Sequence, residues 1–573
     1  MIGAPVHALV ELDSSGWGPL AFGAPRAVIE ARALDDVVPA LRAAEGAARA
    51  GRWVVGFVAY EAAPAFDPAL RVRPGPGPLA WFGVHDAPLP APPPGSADGR
   101  IVDAAPELDA ADHAAAVEAI REAVAAGAVY QVNFTFRLRG RLAGDPLALH
   151  RRLRGAQGSG DAAYVRTGSH AVISASPELF LLRRGDRVIC RPMKGTARRG
   201  RWPEEDLSAR LQLLGSEKDR AENVMIADLL RNDLGRVAVV GSVEAGPLLE
   251  VERLRTVWQL TSTVSARLRP GADLAELFGA TFPCGSVTGA PKVSAMRLVA
   301  GLERSPRGVY CGAVGAIAPG GDACFNVAIR TAEVDLATGA ALYGTGGGIT
   351  WDSNPAAEWD EALAKTRILE SEPGLPTLLE TMRLEGGRVA LLDGHLARLS
   401  GSARHHGIPL DLDALRRRIG DETGDARLRL LLPPGGPVTV ERSPLPEQAP
   451  GPVPVTFSAE PVDRRDPALF HKTTRRAPYE RRRAERPDAF DVLLLNREGE
   501  VTEGTFTNLV AEIDGDRLTP PLDAGLLPGV FREGLLARGE VREGRLHPGD
   551  LARARRLWLV NALRGWIEAR LVP

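Results

Sequence analysis

Short apolar runs and longer periodic ones alternate along this chain. Leu179-Phe180-Leu181-Leu182 and Val188-Ile189-Cys190 have the length and composition of strands, and together they predict a β-hairpin. Between Glu205 and Asp233, apolar residues recur at Leu207, Leu211, Leu214, Met225, Ile226, Leu229 and Leu230. That is roughly the spacing of a helix with a buried stripe. A second helix should start near Asn354-Pro355, with asparagine as cap and proline in the first turn. Strand-like and helical segments alternate throughout, so the fold class expected is a mixed α/β (α+β) multidomain protein. No internal repeat is visible. No window approaches about 18 uninterrupted apolar residues, so no membrane span is expected.

Two stretches interrupt these patterns. Leu89 to Gly99 (LPAPPPGSADG) can continue neither a helix nor a central strand. Glu372-Pro373-Gly374-Leu375-Pro376 separates two entirely different sets of motifs. The division expected is residues 1–372, with an N-terminal lobe of about 1–99 and a core of about 100–372, followed by residues 373–573.

At 573 residues the chain is long enough for two or more cores. Its 45% hydrophobic and 25% charged content is that of an ordinary globular protein, and a net charge of −2 argues against general binding to nucleic acid. Arg475 to Arg486 is basic and reads as a solvated helix face. Four cysteines without paired spacing form neither a disulfide framework nor a zinc site. Without a basic start leading into an apolar run, no signal peptide is expected, and the cytoplasm is the default location.

The chemistry concentrates at a few places. Ser176-Pro177-Glu178 precedes the first hairpin strand, and Pro192-Met193-Lys194-Gly195 follows the second, so Glu178 and Lys194 can share one site. On these residues alone, a surface hairpin with a solvated lysine fits as well. Asp219 and Glu222 lie three apart on one expected helix and Glu358 and Glu361 three apart on the other, each pair on a single face. Facing carboxylate pairs repel unless a cation lies between them, and hard oxygen ligands suit Mg²⁺. Alone, either pair also reads as a solvated face.

The order of these pieces resembles the chorismate-utilising enzymes, which include anthranilate, isochorismate and aminodeoxychorismate synthases. The likeness runs from about Trp53 to Leu369. It includes Tyr130-Gln131-Val132-Asn133, Asp228 to Gly235 (DLLRNDLG), Pro283 to Lys292 (PCGSVTGAPK) and Gly346-Gly347-Gly348-Ile349. It implies a β-sandwich with surrounding helices. It also implies magnesium at Glu222 and Glu361, with Asp219 and Glu358 acting through water. Chorismate contacts are implied at Gly285, Ser286, Tyr310, Arg330, Gly346, Gly347 and Gly348. Lysine at position 194 is the letter of the aminodeoxychorismate synthases; anthranilate synthases carry alanine there. The resemblance makes Lys194 the nucleophile at chorismate C2 and Glu178 the general acid for loss of the C4 hydroxyl, with ammonia adding at C4. Gln259 stands where relatives commonly place a histidine linked to pyruvate loss. No G-x-C-x-G turn with a downstream His-Glu pair accompanies these motifs, so ammonia is expected from a separate glutamine amidotransferase subunit.

From about Leu375 a second set begins: Glu380-Thr381-Met382-Arg383, Asp393 to Leu399, Phe470-His471-Lys472-Thr473-Thr474, Val501 to Asn508, and Leu527 to Arg532. These resemble fold-type IV pyridoxal-phosphate enzymes. The likeness implies Lys472 as the Schiff-base lysine, Glu503 on the pyridine nitrogen, and Arg398 with the backbone of Val530 and Phe531 at the phosphate. Phe531 and Ala562 depart by lacking hydroxyls common at those places, and Arg564 could compensate or bind a substrate carboxylate. Together the two resemblances imply aminodeoxychorismate synthase and lyase activities, converting chorismate and ammonia to 4-aminobenzoate for folate. A branched-chain or D-amino-acid transaminase remains open for the second half, and anthranilate-type chemistry for the first.

Overall fold

The computed structural model describes residues 6–89, 98–370, 374–447 and 450–573. Most of the Leu89–Gly99 interruption, and the first residues of the Glu372–Pro376 interruption, lie outside the described residues. The chain divides into two compact units, Met1–Arg198 with Gln212–Gly374, and Arg199–Leu211 with Leu375–Pro573. The break between Gly374 and Leu375 lies two residues beyond the division at 372/373 expected from the sequence, and Arg199–Leu211, expected with residues 1–372, groups with the second unit.

The first unit is built on two nine-stranded sheets. In one, Gln131–Gly144, Ala340–Ile349, Thr331–Asp335, His170–Ser176, Asp161–Arg166 and Ala8–Leu12 lie side by side and antiparallel. In the other, Arg187–Arg191, Leu179–Arg184, Ala323–Val327, Ala313–Ile317, Trp53–Val58 and Ala80–His85 do the same. Val10 and Val172 from the first sheet pack with Phe57, Leu182 and Val314 from the second, so the two sheets form a sandwich. Helices cover the outer faces, with Leu41, Leu230 and Phe278 against Phe180 and Phe325 on one side. Ile120, Leu149 and Val299 pack against Phe134 and Ile173 on the other. This is the expected sandwich with surrounding helices.

Residues 1–99 do not form a separate lobe. Their strands complete both sheets, with Ala8–Leu12 pairing Asp161–Arg166 and Trp53–Val58 pairing Ala313–Ile317. Continuous ladders satisfy backbone groups that a detached lobe would leave at four open sheet edges.

The expected hairpin is present, with Leu182 opposite Ile189 and Arg184 opposite Arg187. The helix expected over Glu205–Asp233 is two helices, Pro203–Gly215 and Glu217–Gly235. Ser216 separates them, its Oγ accepting the Asp219 N–H at 3.2 Å as an N-cap. The single buried stripe is therefore broken: Leu207 and Leu211 are 52% and 56% exposed, whereas Ile226 and Leu230 are buried. The helix Pro355–Ala364 begins as expected, with Asn354 Oδ1 accepting the Ala357 N–H.

The second unit has a four-stranded antiparallel sheet centred on Leu378–Glu385 and Ala426–Leu432, covered by the helix Leu392–His406 through Leu396 and Leu399. A mixed eight-stranded sheet accompanies it, in which Val453–Phe457 runs parallel to both Asp491–Leu495 and Gly565–Leu571. No helix among the described residues is long and apolar enough to cross a membrane.

Candidate functional sites

In the first unit Lys194 lies on the strand Met193–Arg198, in a small sheet with Val257–Thr261 and Glu250–Arg253. Two side chains clamp this strand. Asn223 Nδ2 donates to Lys194 O (3.0 Å) and Leu260 O (3.1 Å). Gln259 Nε2 donates to Gly195 O, and its Oε1 accepts from Thr196 Oγ1, both at 2.8 Å. Gln259 is thus a brace for the lysine strand.

Glu178 is fixed in the turn after His170–Ser176: its N–H donates to Ser176 Oγ (3.1 Å), and its carbonyl accepts the Val327 N–H (3.0 Å). The Met193 N–H points at Glu178 Oε1 (3.4 Å). Burial pushes the Glu178 carboxyl up to about 7, against the pull of Ser286, Lys194 and that N–H. Burial also lowers the Lys194 ammonium, opposed by Glu222 and Glu178 and aided by Lys365. A carboxyl that keeps its proton near neutrality and an amine that gives its proton up suit an acid and a nucleophile. Cys284 is no nucleophile, since burial and Glu178 push its thiol up to about 12.

Glu358 and Glu361 lie against Gly347, and Glu222 is linked to the neighbouring Gly348 through Gln131, whose Nε2 is 3.4 Å from it; Asp219 stands apart, beside Gly195. A Cβ on Gly347 would lie 3.3 Å from Glu358 Oε2 and 4.0 Å from Glu361 Oε1; one on Gly348 would lie 2.4 Å from Gln131 Nε2 and 3.0 Å from Lys194 Nζ. A side chain at either position would push aside the ends of Glu358, Gln131 or Lys194, so glycine keeps these groups where they converge on the backbone. Burial raises Glu222, with Asp219 and Glu358 adding to it; burial likewise raises Glu358, with Glu361 adding to it. Lys365 holds Glu361 low from 2.9 Å and donates to Gly346 O at 2.8 Å. Lys218 stands 3.9 Å from Glu222. Carboxylates that repel one another, with hard oxygen donors and too few lysines to neutralise them, fit a divalent cation.

The remaining predicted contacts gather on the same unit. Arg330 is held at φ 51°, in the left-handed region, and donates to Lys365 O (3.3 Å). Tyr310 is buried under the Arg137 guanidinium, 4.8 Å from its ring centre. Ser286 is buried and donates to Cys284 Sγ (3.2 Å). A Cβ on Gly285 would strike Leu229 at 2.4 Å, so glycine lets this turn approach the helix Glu217–Gly235.

In the second unit the Lys472 carbonyl accepts the Leu379 N–H (2.9 Å), fixing the lysine segment against Leu378–Glu385. Burial, with Arg398 and Arg476, brings Lys472 down to about 8. Burial pushes Glu503 up to about 8; Tyr479 Oη donates to it at 3.3 Å and Asn508 Nδ2 at 3.4 Å. A cation arriving beside such a carboxyl would favour its ionised form, which fits the nitrogen of a protonated pyridine ring. Arg398 Nη1 donates to Pro528 O (3.0 Å), and both oxygens of Glu380 grip its guanidinium at 2.8 and 2.7 Å. The Val530 and Phe531 N–H groups open the helix Val530–Ala537 and have no intrahelical acceptor, as an anion cradle needs. The basic run is not a simple solvated face: Arg482 is buried and donates to Pro478 O, and Arg476 reaches Thr505 O.

Residues 14–371 match the model of the chorismate binding enzyme family. The chain belongs to the chorismate binding enzyme family. Residues 377–572 match the class IV aminotransferases. The chorismate-binding part is 43% identical over 254 residues to an aminodeoxychorismate synthase of Streptomyces griseus, covering 44% of this chain and 35% of that one. It is 42% identical over 258 residues to an anthranilate synthase component 1 of Haloferax volcanii, covering 44% and 49%. The chain thus spans half or less of the length of these relatives. Its fold is that of the crystal structure of anthranilate synthase component I from Streptococcus pneumoniae (TM-score 0.54, 24% identity, covering 65% of this chain and 94% of that one).

Several residues of the chorismate-binding unit escaped the sequence reading. Gln131 is 1% exposed, its Nε2 3.4 Å from Glu222 and its Oε1 without a hydrogen-bond partner. Arg307 is buried and donates to Asn133 O and Val287 O at 2.7 Å, tying together two motifs that the sequence separates by over 150 residues. In the class IV unit Asp491 accepts from the Thr505 and Thr507 hydroxyls and so holds the Glu503 loop. Gln131 stood inside a recognised motif and Arg307 three residues before Tyr310; nothing local marked Asp491.

Proposed function

We propose that this chain makes 4-aminobenzoate in two steps, the first on the chorismate-binding unit and the second on the class IV unit. The observation that carries the reading is the pairing of a deprotonation-prone Lys194 with a proton-retaining Glu178 beside the Gly346–Gly348 backbone. In the first step the neutral Lys194 amine forms a bond to chorismate C2. The C4 hydroxyl departs as water, taking the Glu178 proton. Ammonia then bonds to C4, the C2–N bond breaks to return the neutral lysine, and the proton shed by the new C4 ammonium restores Glu178. Magnesium, directly on Glu222 and Glu361 and through water on Asp219 and Glu358, would neutralise one substrate carboxylate. Arg330 offers a fork to the other, with Gly285, Ser286 and Tyr310 lining the ring. Ammonia would come from a separate amidotransferase subunit, with the whole reaction in the cytoplasm.

In the second step the substrate loses its C4 proton and then pyruvate, leaving the aromatic ring. Pyridoxal phosphate, when bound, would supply the electron sink for breaking that C–H bond. Arg398 and the Val530 and Phe531 N–H groups would hold its phosphate, and Glu503 its ring nitrogen. Lys472, near its own deprotonation at neutral pH, carries the C4 proton.

The test is chromatography of products from purified chain, chorismate, ammonium, Mg²⁺ and pyridoxal phosphate. 4-Aminobenzoate and pyruvate are expected; Lys194→Ala should stop chorismate consumption, and Lys472→Ala should let aminodeoxychorismate accumulate. Fluorescent anthranilate instead would support the second reading, which the likeness to anthranilate synthases keeps in view. Amino-group exchange with branched-chain or D-amino acids would make the second unit a transaminase.

A further inference from the structure

Many arginines of the class IV unit have a carboxylate of their own. Arg383 pairs with Glu385, Arg398 with Glu380, Arg429 with Glu441, Arg442 with Glu422, and Arg481 with Glu460. Arg427, Arg483 and Arg564 have none among the described residues. Arg427 Nε and Arg564 Nε are also buried without a hydrogen-bond partner.

These three arginines converge from distant parts of the chain. Arg427 lies on Ala426–Leu432 directly opposite Arg383, whose Nη1 donates to Leu563 O (3.2 Å), the residue before Arg564. The Arg564 N–H is capped by Asn561 Oδ1 at 2.9 Å, which fixes the turn. Arg483 stacks 4.8 Å from the centre of Phe506, in the loop after Glu503. Burial lowers the Arg564 guanidinium, and the charges of Arg427 and Arg483 lower it further, as expected of neighbours that repel.

Like charges gathered with buried, unmatched donors cost free energy unless an anion joins them. The surroundings limit which anion. A Cβ on Gly565 would lie 3.8 Å from the tip of Phe531, in the proposed phosphate loop, and Phe531 and Trp566 stand edge to face with ring centres 6.3 Å apart. We infer that Arg427, Arg483 and Arg564 form an oxyanion site bordering the proposed cofactor cradle, bounded by aromatic rings and suited to the carboxylate of a ring-bearing substrate. The cofactor's phosphate is the other source of the same chemistry. The identity of the carboxylate rests on the lyase reading above; the site itself does not.

The test uses full-length Arg564→Gln and Arg427→Gln, checked for folding by thermal melts. Pyridoxal phosphate and pyridoxal are titrated into apo protein, and 4-aminobenzoate into holoenzyme, both followed by absorbance. Loss of a charge-assisted hydrogen bond should weaken the anion about tenfold or more. A tenfold loss for 4-aminobenzoate with pyridoxal phosphate affinity held within about twofold places the substrate carboxylate there. A loss for pyridoxal phosphate but not pyridoxal places the phosphate there. If 4-aminobenzoate fails to bind wild type but 4-methyl-2-oxopentanoate binds and depends on Arg564, the arginine site stands and the lyase reading falls. Well-folded variants that bind every probe as wild type does overturn the inference.

Discussion

Replacing Glu178 by glutamine should stabilise the protein at alkaline pH while destroying the first reaction. The side chain is 3% exposed, and burial moves its carboxyl from an ordinary 4.5 to about 7. That difference corresponds to roughly 3 kcal/mol at about 1.4 kcal/mol for each tenfold change. A folded-state value above the unfolded one means that the folded protein holds the proton longer. Stability from this group is therefore intact below about pH 4.5, falls as pH rises, and reaches its full loss above about pH 7. Glutamine keeps the shape and never ionises. Urea denaturation of both proteins from pH 5 to pH 8.5 should show glutamine gaining on wild type by roughly 2–3 kcal/mol across the range. Other raised groups, such as Glu61, cancel in the difference. Formation of aminodeoxychorismate should drop by about 10²–10⁴ with loss of the acid. A variant whose stability runs parallel to wild type at every pH would refute the claim that Glu178 is a buried, proton-retaining carboxyl.

The pH dependence of the first step is a second check. Measured in Lys472→Ala and expressed per free ammonia, the rate should fall above about pH 7 as Glu178 ionises; a flat profile from pH 6 to 9 would count against that role. Gly348→Ala should abolish chorismate turnover, because the added carbon would sit 2.4 Å from Gln131 Nε2 and 3.0 Å from Lys194 Nζ; near-normal turnover would mean that substrate does not use this backbone. Glu222→Gln should raise the Mg²⁺ needed for half-maximal rate by about tenfold or more, read by titration after chelation, with no change in pyridoxal phosphate binding. Gln259→Ala removes two hydrogen bonds to the lysine strand and should cost about 1–3 kcal/mol of stability; equal urea midpoints would show that the brace is idle.

What the sequence revealed depended on how local each feature was. Lys194 and Glu178 flank one hairpin, so the register Leu182–Ile189 alone brings them near each other. Asp219 with Glu222, and Glu358 with Glu361, needed only helical spacing. By contrast, Gln131 meets Glu222 across 91 residues and Arg307 meets Asn133 across 174, and such contacts leave no periodic trace. The N-terminal lobe was misjudged because proline-rich composition carries no trace of which sheets the flanking strands join. The single helix over Glu205–Asp233 was misjudged because apolar spacing continues past Ser216, whose capping role outweighs it.

Gln259 shows why a departure from a family pattern need not weaken a site. An imidazole there could exchange protons within the pH range where Lys194 must be neutral. An amide cannot, yet it offers a donor and an acceptor together, and both are used on the residues following Lys194. The lysine's charge state is then governed by burial and by Glu222, Glu178, Lys365 and Glu361. Of these carboxylates, Glu222 and Glu361 are the groups that magnesium would engage directly. A cation on Glu222 would withdraw the strongest support for the lysine's ammonium form, so metal binding and nucleophile activation become one electrostatic event. The carboxylate cluster would then do more than seat the substrate: with the metal in place it would add to the burial that already favours the neutral amine.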